Sequence, residues 1–234
     1  MDPLIILSIA TTLAYYSYLG YEDWKKREIE SKAFYLMIPF IAVLNALYFL
    51  QYGLPIIVNL AVGLLSFVLI FVMSLFGMMG KGDAFIVSYM FLLNPFPISF
   101  MRIPIFPGFI ATILSFVFPL LIIFRNVYVN LKRIKEFESL TKGLGKGTKA
   151  YYFLFGETLK KDEFRRKKFY FPLLASGMKR LHANMEVEPL SPEGYKIYSE
   201  YVIASFGVPL ATAELVGYII FLALFPLGIA SPLL

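Results

Sequence analysis

The stretch Gly77–Phe85 reads GMMGKGDAF, and residues 86–97 continue it as IVSYMFLLNPFP. Asp83 is the only acid, and Lys81 the only base, between Ala33 and Phe100. Past Asp83 the chain is apolar, but Pro95 and Pro97 stop a regular helix near Leu93 or Asn94. About ten helical residues rise only ~16 Å, roughly half the ~30 Å hydrocarbon core of a bilayer. The segment therefore either finishes in irregular form or starts below a membrane surface. Irregular backbone at that depth is tolerated only where protein or a wet cavity surrounds it. A short, enclosed segment with a carboxylate at its foot, and a water-filled cavity around Asp83, are the expectations.

Composition extends this reading to the whole chain. Of 234 residues, 59% are hydrophobic and 16% charged, with a mean hydropathy of +0.70. Soluble domains average about 45–50% apolar and about 25% charged. Uncharged runs cover Pro3–Tyr21, Ala33–Gln51, Leu54–Phe76, Ala84–Met101, Ile103–Phe124 and most of Val202–Leu234. Such runs approach or exceed the ~20 residues that cross a bilayer as a helix. The predicted fold is a polytopic α-helical membrane protein. It has six transmembrane helices and a small cytoplasmic α+β domain between helices five and six. The expected division is 1–124 for helices one to five, 125–203 for the basic α+β domain, and 204–234 for helix six. The first segment lacks a basic lead-in and a small-x-small site, so it reads as a retained helix rather than a cleaved signal.

Within 125–203, Val127, Leu131, Ile134, Phe137 and Leu140 recur at helical spacing. AYYFLF (150–155) and KFYFPLL (168–174) read as short aromatic strands. KGLGKGTK (142–149) does not have the phosphate-loop spacing. The chain has no cysteine and one histidine, which excludes disulfides, thiolate nucleophiles and cysteine zinc sites. No metal or cofactor is called for.

Positive charge sets the expected orientation. Lys25, Lys26, Arg27 and Lys32 follow segment one, Lys81 follows segment three, and 16 of the 22 Lys and Arg lie from Arg125 to Lys196. The other connections carry little beyond Arg102. The positive-inside rule puts these loops in the cytoplasm and both termini outside. Asp23 and Asp83 then share the cytoplasmic face. Two such carboxylates, one ionised and one protonated, can activate water against a peptide carbonyl. The plainer roles are a helix cap for Asp83 and a solvated loop acid for Asp23. Gly80 and Gly82 would allow positive φ or a close backbone approach.

Gly80-Lys81-Gly82-Asp83 resembles the GxGD signature of a class of membrane aspartic proteases. Asp23-Trp24-Lys25-Lys26-Arg27-Glu28-Ile29 resembles the D-x-x-x-R-x-I stretch after the first helix of type IV prepilin peptidases and archaeal preflagellin (prearchaellin) peptidases of the FlaK type. The resemblance covers the six spans and is poorest over 125–203. It implies an aspartic endopeptidase with Asp23 and Asp83 as the catalytic pair. The implied substrates are preflagellin or prepilin precursors, cut after a short basic leader at the cytoplasmic face. The chain lacks the Cys-x-x-Cys loop of many bacterial relatives. Pro209-Leu210-Ala211 does not follow the Pro-Ala-Leu order of presenilin-like proteases. Lys81 and Phe85 stand where many relatives have Gly and Lys.

Arg27 and Glu214 are secondary candidates for supporting the pair. Glu214, inside the sixth segment, should pair, protonate or face a cavity, with a basic side chain at the cytoplasmic rim as the expected partner. A competing class is a proton-coupled transporter using Asp23, Asp83 and Glu214. A third is a membrane anchor for a functional soluble domain. Asp162 and Glu163 read as a solvated, self-neutralising run and His182 as structural. The basic domain carries no nucleic-acid motif, so the bilayer and precursor peptides are the expected partners.

Overall fold

The computed structural model describes residues 2–27, 29–75, 80–100, 103–176, 178–180 and 194–224. His182, Arg102 and Glu28 lie outside them. The chain forms two compact units, 1–118 with 209–234, and 119–208. The second is wider at both ends than the expected 125–203 domain.

The first unit is helical. Its helices are α1 (Pro3–Lys26), α2 (Ser31–Tyr52), α3 (Pro55–Leu75), α4 (Lys81–Leu92), α5 (Pro107–Ser115) and α10 (Leu210–Leu224). A hairpin, β1 (Ile98–Phe100) with β2 (Ile103–Ile105), lies between α4 and α5. Among the described residues, four helices are long and apolar enough to cross a membrane: α1, α2, α3 and the run Pro107–Lys132. That run comprises α5 and α6 (Val117–Lys132). The described part of α10 and the twelve-residue α4 are shorter.

Local chemistry explains the ends. The Asp2 carboxylate accepts from the Leu4 N–H, and Pro3 sits in the first turn of α1, where its missing donor costs nothing. Lys25 and Lys26 occupy the last turn of α1, a favourable place for cations. Most of the charged stretch expected as a loop is therefore helix. Gly53 closes α2 with φ +71°, a conformation glycine adopts without a Cβ clash.

The short α4 ends where its prolines predict, and it is enclosed: Ala84 and residues 86–98 are buried, and Phe85 is half-buried. The last four carbonyls of a helix have no partner within it. Here each relevant carbonyl meets a side chain. The Asn94 amide donates to Met90 O (3.0 Å), the Asn59 amide to Phe91 O (2.9 Å) and the Asn45 amide to Leu92 O (2.8 Å). The Ser8 hydroxyl donates to Leu93 O. These donors come from α3, α2 and α1, and from the residue just past α4 itself.

Within this unit two glycines allow the tightest packing. A Cβ on Gly217 of α10 would overlap the Ala111 carbonyl of α5, and one on Gly108 would overlap the Met90 carbonyl of α4.

The second unit holds most of α6, then α7 (Ile134–Leu140), α8 (Lys146–Phe155) and α9 (Lys161–Arg166). Its antiparallel sheet has the order β3-β6-β4-β5, from β3 (Glu157–Lys160), β6 (Tyr201–Phe206), β4 (Tyr170–Ala175) and β5 (Met178–Lys179). Val202 and Ala204 pack with Leu159 and Phe164, whereas Ile203 packs with Phe137 and Tyr152. Alternation along β6 thus buries both faces.

Three readings are corrected. AYYFLF is not a strand; it lies in α8, between Gly145 and Gly156. Residues 202–206 belong to a sheet strand, so the last helix starts at Leu210 rather than near 204. Glu163 is not merely solvated: it accepts from Arg133 Nη1 (2.6 Å) and Nη2 (2.8 Å) and from the Lys160 N–H. Asp162 is exposed, as expected. The stripe from Val127 to Leu140 breaks at Arg133 between α6 and α7, and only its Phe137 is fully buried.

Candidate functional site

Asp83 is the third residue of α4. Its Oδ2 accepts from the Gly80 N–H at 2.9 Å, while its own N–H donates to the Gly80 carbonyl at 3.0 Å. This reciprocal pair ties off the helix start. Gly80 has φ −74°, and no positive φ occurs at Gly82. A Cβ on Gly82 would meet the Phe34 ring at 3.6 Å, an ordinary contact. Of the two uses expected for these glycines, positive φ is not adopted at either. Lys81 is exposed in the first turn.

Asp23 lies inside the last turn of α1, not in a loop. Its Oδ2 accepts from the Ala211 N–H at 3.0 Å, which satisfies a donor at the start of α10. Thr212 Oγ1 donates to Gly20 O at 3.0 Å beside it. α1 therefore holds the first turn of α10 at two points.

The structure brings α1 and α4 together as antiparallel neighbours. Ser8 reaches Leu93 O, Thr12 accepts from the Asn94 amide, and the Tyr16 hydroxyl donates to Ile86 O. Extending that register puts Asp23 about four residues beyond Asp83 along the axis, or ~6 Å at 1.5 Å per residue. Each carboxylate has one oxygen engaged in capping. Among the described residues, Oδ1 of each accepts no hydrogen bond.

Arg27 belongs with Asp23. It ends α1 in left-handed backbone at φ 59°, its N–H donates to the Asp23 carbonyl, and its charge acts on the Asp23 carboxylate. Glu214 lies one turn along α10 from Ala211, the residue whose N–H Asp23 accepts. It is fully buried and accepts from Thr112 Oγ1 at 3.2 Å and Ser115 Oγ at 3.4 Å. Its expected basic partner is replaced by two hydroxyls of α5. These partners lie about a hundred residues away in the chain, beyond any local sequence signal.

Among the described residues, no group of three His, Asp or Glu side chains converges to hold a metal ion. No family model, curated protein or solved structure matches the chain.

Proposed function

We propose that the chain is a membrane aspartic endopeptidase of the GxGD kind. It cleaves the basic leader of preflagellin or related prepilin-like precursors at the cytoplasmic face. The reading is supported above all by Asp23 and Asp83 standing at adjacent ends of two antiparallel helices. In this reading α4 and α10 complete six spans, and the basic unit faces the cytoplasm. One carboxylate, ionised, takes a proton from water as it attacks the scissile carbonyl. The other, protonated, donates to the carbonyl oxygen and then helps the amine depart. Two close carboxylates share a proton because ionising both is costly. The remaining axial offset closes when a precursor is bound.

The test mixes detergent-solubilised protein with a precursor bearing a basic leader. Asp23→Asn and Asp83→Asn each abolish cleavage while the protein stays folded, since an amide oxygen can still accept at both caps. Retained cleavage by either variant removes the dyad. The buried Glu214 favours, as the second reading, a proton path through Asp23, Asp83 and Glu214. Proton flux into proteoliposomes, with no cleavage of any precursor, would establish that reading instead.

A further inference from the structure

The exposed side of α6 changes character along its length. Leu121, Phe124 and Tyr128 are exposed, and so are Arg125 and Lys132. Leu121, Arg125, Tyr128 and Lys132 follow one another at steps of four, three and four residues, so they share one helix face. Lys132 Nζ stands 4.3 Å from the centroid of the Tyr128 ring. Apolar side chains, then a base and an aromatic with a polar tip, then a lysine, is the order a helix follows as it leaves a bilayer. α6 also completes the run Pro107–Lys132, which is long and apolar enough to cross one. For a membrane-spanning α6, the lipid–water boundary falls at Arg125 to Tyr128.

A buried carboxylate gathers two cations at that level. Glu157 of β3 is 3% exposed. Its Oε2 accepts from Arg125 Nη2 and from the Tyr170 hydroxyl, both at 2.9 Å, and its Oε1 accepts from Lys167 Nζ at 2.7 Å. The Arg125 guanidinium and the Lys167 ammonium also lie over the Tyr170 ring, 5.9 and 4.8 Å from its centroid. One negative charge thus answers two positive ones. The surplus is within reach of solvent, because the side chains of Arg125 and Lys167 are 48% and 28% exposed. The next ion pair on α6 is balanced instead: Arg133 meets Glu163 one to one. Lys167 also belongs to the stretch RRKK (165–168), which holds no acid.

We propose that Arg125 and Lys167 hold the phosphate of an anionic phospholipid, in the leaflet on the sheet unit's own side. Glu157 is the positioning residue that sets the two cations side by side. With a singly charged phosphodiester bound, two positive charges meet two negative ones. A zwitterionic headgroup brings a cation of its own and leaves the surplus unanswered. The planar guanidinium matches phosphate oxygens, and the ammonium adds a point charge. The exposed Leu121 and Phe124 adjoin Arg125 on the apolar side of the boundary, where acyl chains run, so a lipid fits better than free phosphate. The assignment rests on the membrane reading of the chain and not on its proteolytic chemistry.

The test compares phosphatidylglycerol with phosphatidylcholine on the full-length protein in detergent, with lipid retention read by native mass spectrometry. Wild-type protein should bind phosphatidylglycerol about tenfold or more tighter than phosphatidylcholine. Lys167→Gln keeps the Arg125–Glu157 pair, so the unit stays folded, and should lower that preference about fivefold, the share of one basic group near an anionic surface. Lys167→Arg should retain it. Arg133→Gln, which breaks the balanced pair, should lower Tm and leave the lipid preference unchanged. Equal affinity for the two lipids, or a Lys167→Gln protein that matches wild type, overturns the site. Inorganic phosphate that displaces phosphatidylglycerol at equal concentration assigns the cluster to free phosphate and overturns the lipid. If the lipid preference is found and no precursor is cleaved, the proteolytic reading falls and the site stands. Cleavage by a protein without the preference removes the site alone.

Discussion

Asp23 and Asp83 each combine a cap with a candidate catalytic role, and substitution separates the two. Asp23→Ala leaves the Ala211 N–H without an acceptor and should lower stability by about 0.5–2 kcal/mol, whereas Asp23→Asn should lose far less. Thermal unfolding in detergent checks this, and the same two proteins should both be inactive. Asp83→Ala and Asp83→Asn should differ in the same way, through the Gly80 N–H. The local cap of Asp83 was legible, because Gly80 and Asp83 lie three residues apart. The cap that Asp23 provides was not, because Ala211 lies 188 residues away. Glu214 failed in the same way: its burial was readable from the apolar run, but its hydroxyl partners depend on how α5 meets α10.

The elements follow the same division. The early end of α4 was readable from two prolines, and its enclosure from the rule against bare backbone in lipid. The side chains that finish it were not, since they sit on three other helices. Asn59→Leu removes one donor from Phe91 O, which keeps the Asn94 N–H, and should cost about 0.5–1.5 kcal/mol in thermal unfolding. Gly217→Ala should cost a similar amount, about 1–3 kcal/mol, by forcing α5 from α10. The aromatic run of α8 read as strand because propensity favours aromatics there; tertiary packing of Tyr152 prevailed. In the sheet unit, the Arg133 guanidinium holds the Glu163 carboxyl down to about 2, against an ordinary 4.5. The depressed value makes this contribution fully present above pH 4.5 and progressively lost as pH falls toward 2. Glu163→Gln should therefore lower stability near neutrality and flatten the acid limb of a circular-dichroism stability profile, converging on the native protein as pH falls toward 2.

At the scale of the whole molecule, six spans and their direction are open to direct measurement. The chain has no cysteine, so single cysteines report without background. Lys25→Cys and Lys149→Cys should react with an impermeant maleimide only in inside-out vesicles. Leu54→Cys, in the turn between α2 and α3, should react only in right-side-out vesicles. The reverse pattern would invert the proposed orientation. The membrane character was legible from composition because it is a sum over many residues. The sheet unit's extent was not, because it depends on where β6 ends and α10 begins.

The completed end of α4 also bears on how the protein is made. Three of its four donors, Ser8, Asn45 and Asn59, precede α4 in the chain. They are synthesised before the carbonyls they cover. A helix that stops within apolar surroundings is a poor candidate for independent insertion, because it would carry bare carbonyls into hydrocarbon. It can instead lodge against neighbours already in place. Biogenesis then has a built-in order: α1 to α3 form a receptacle, and α4 enters it last.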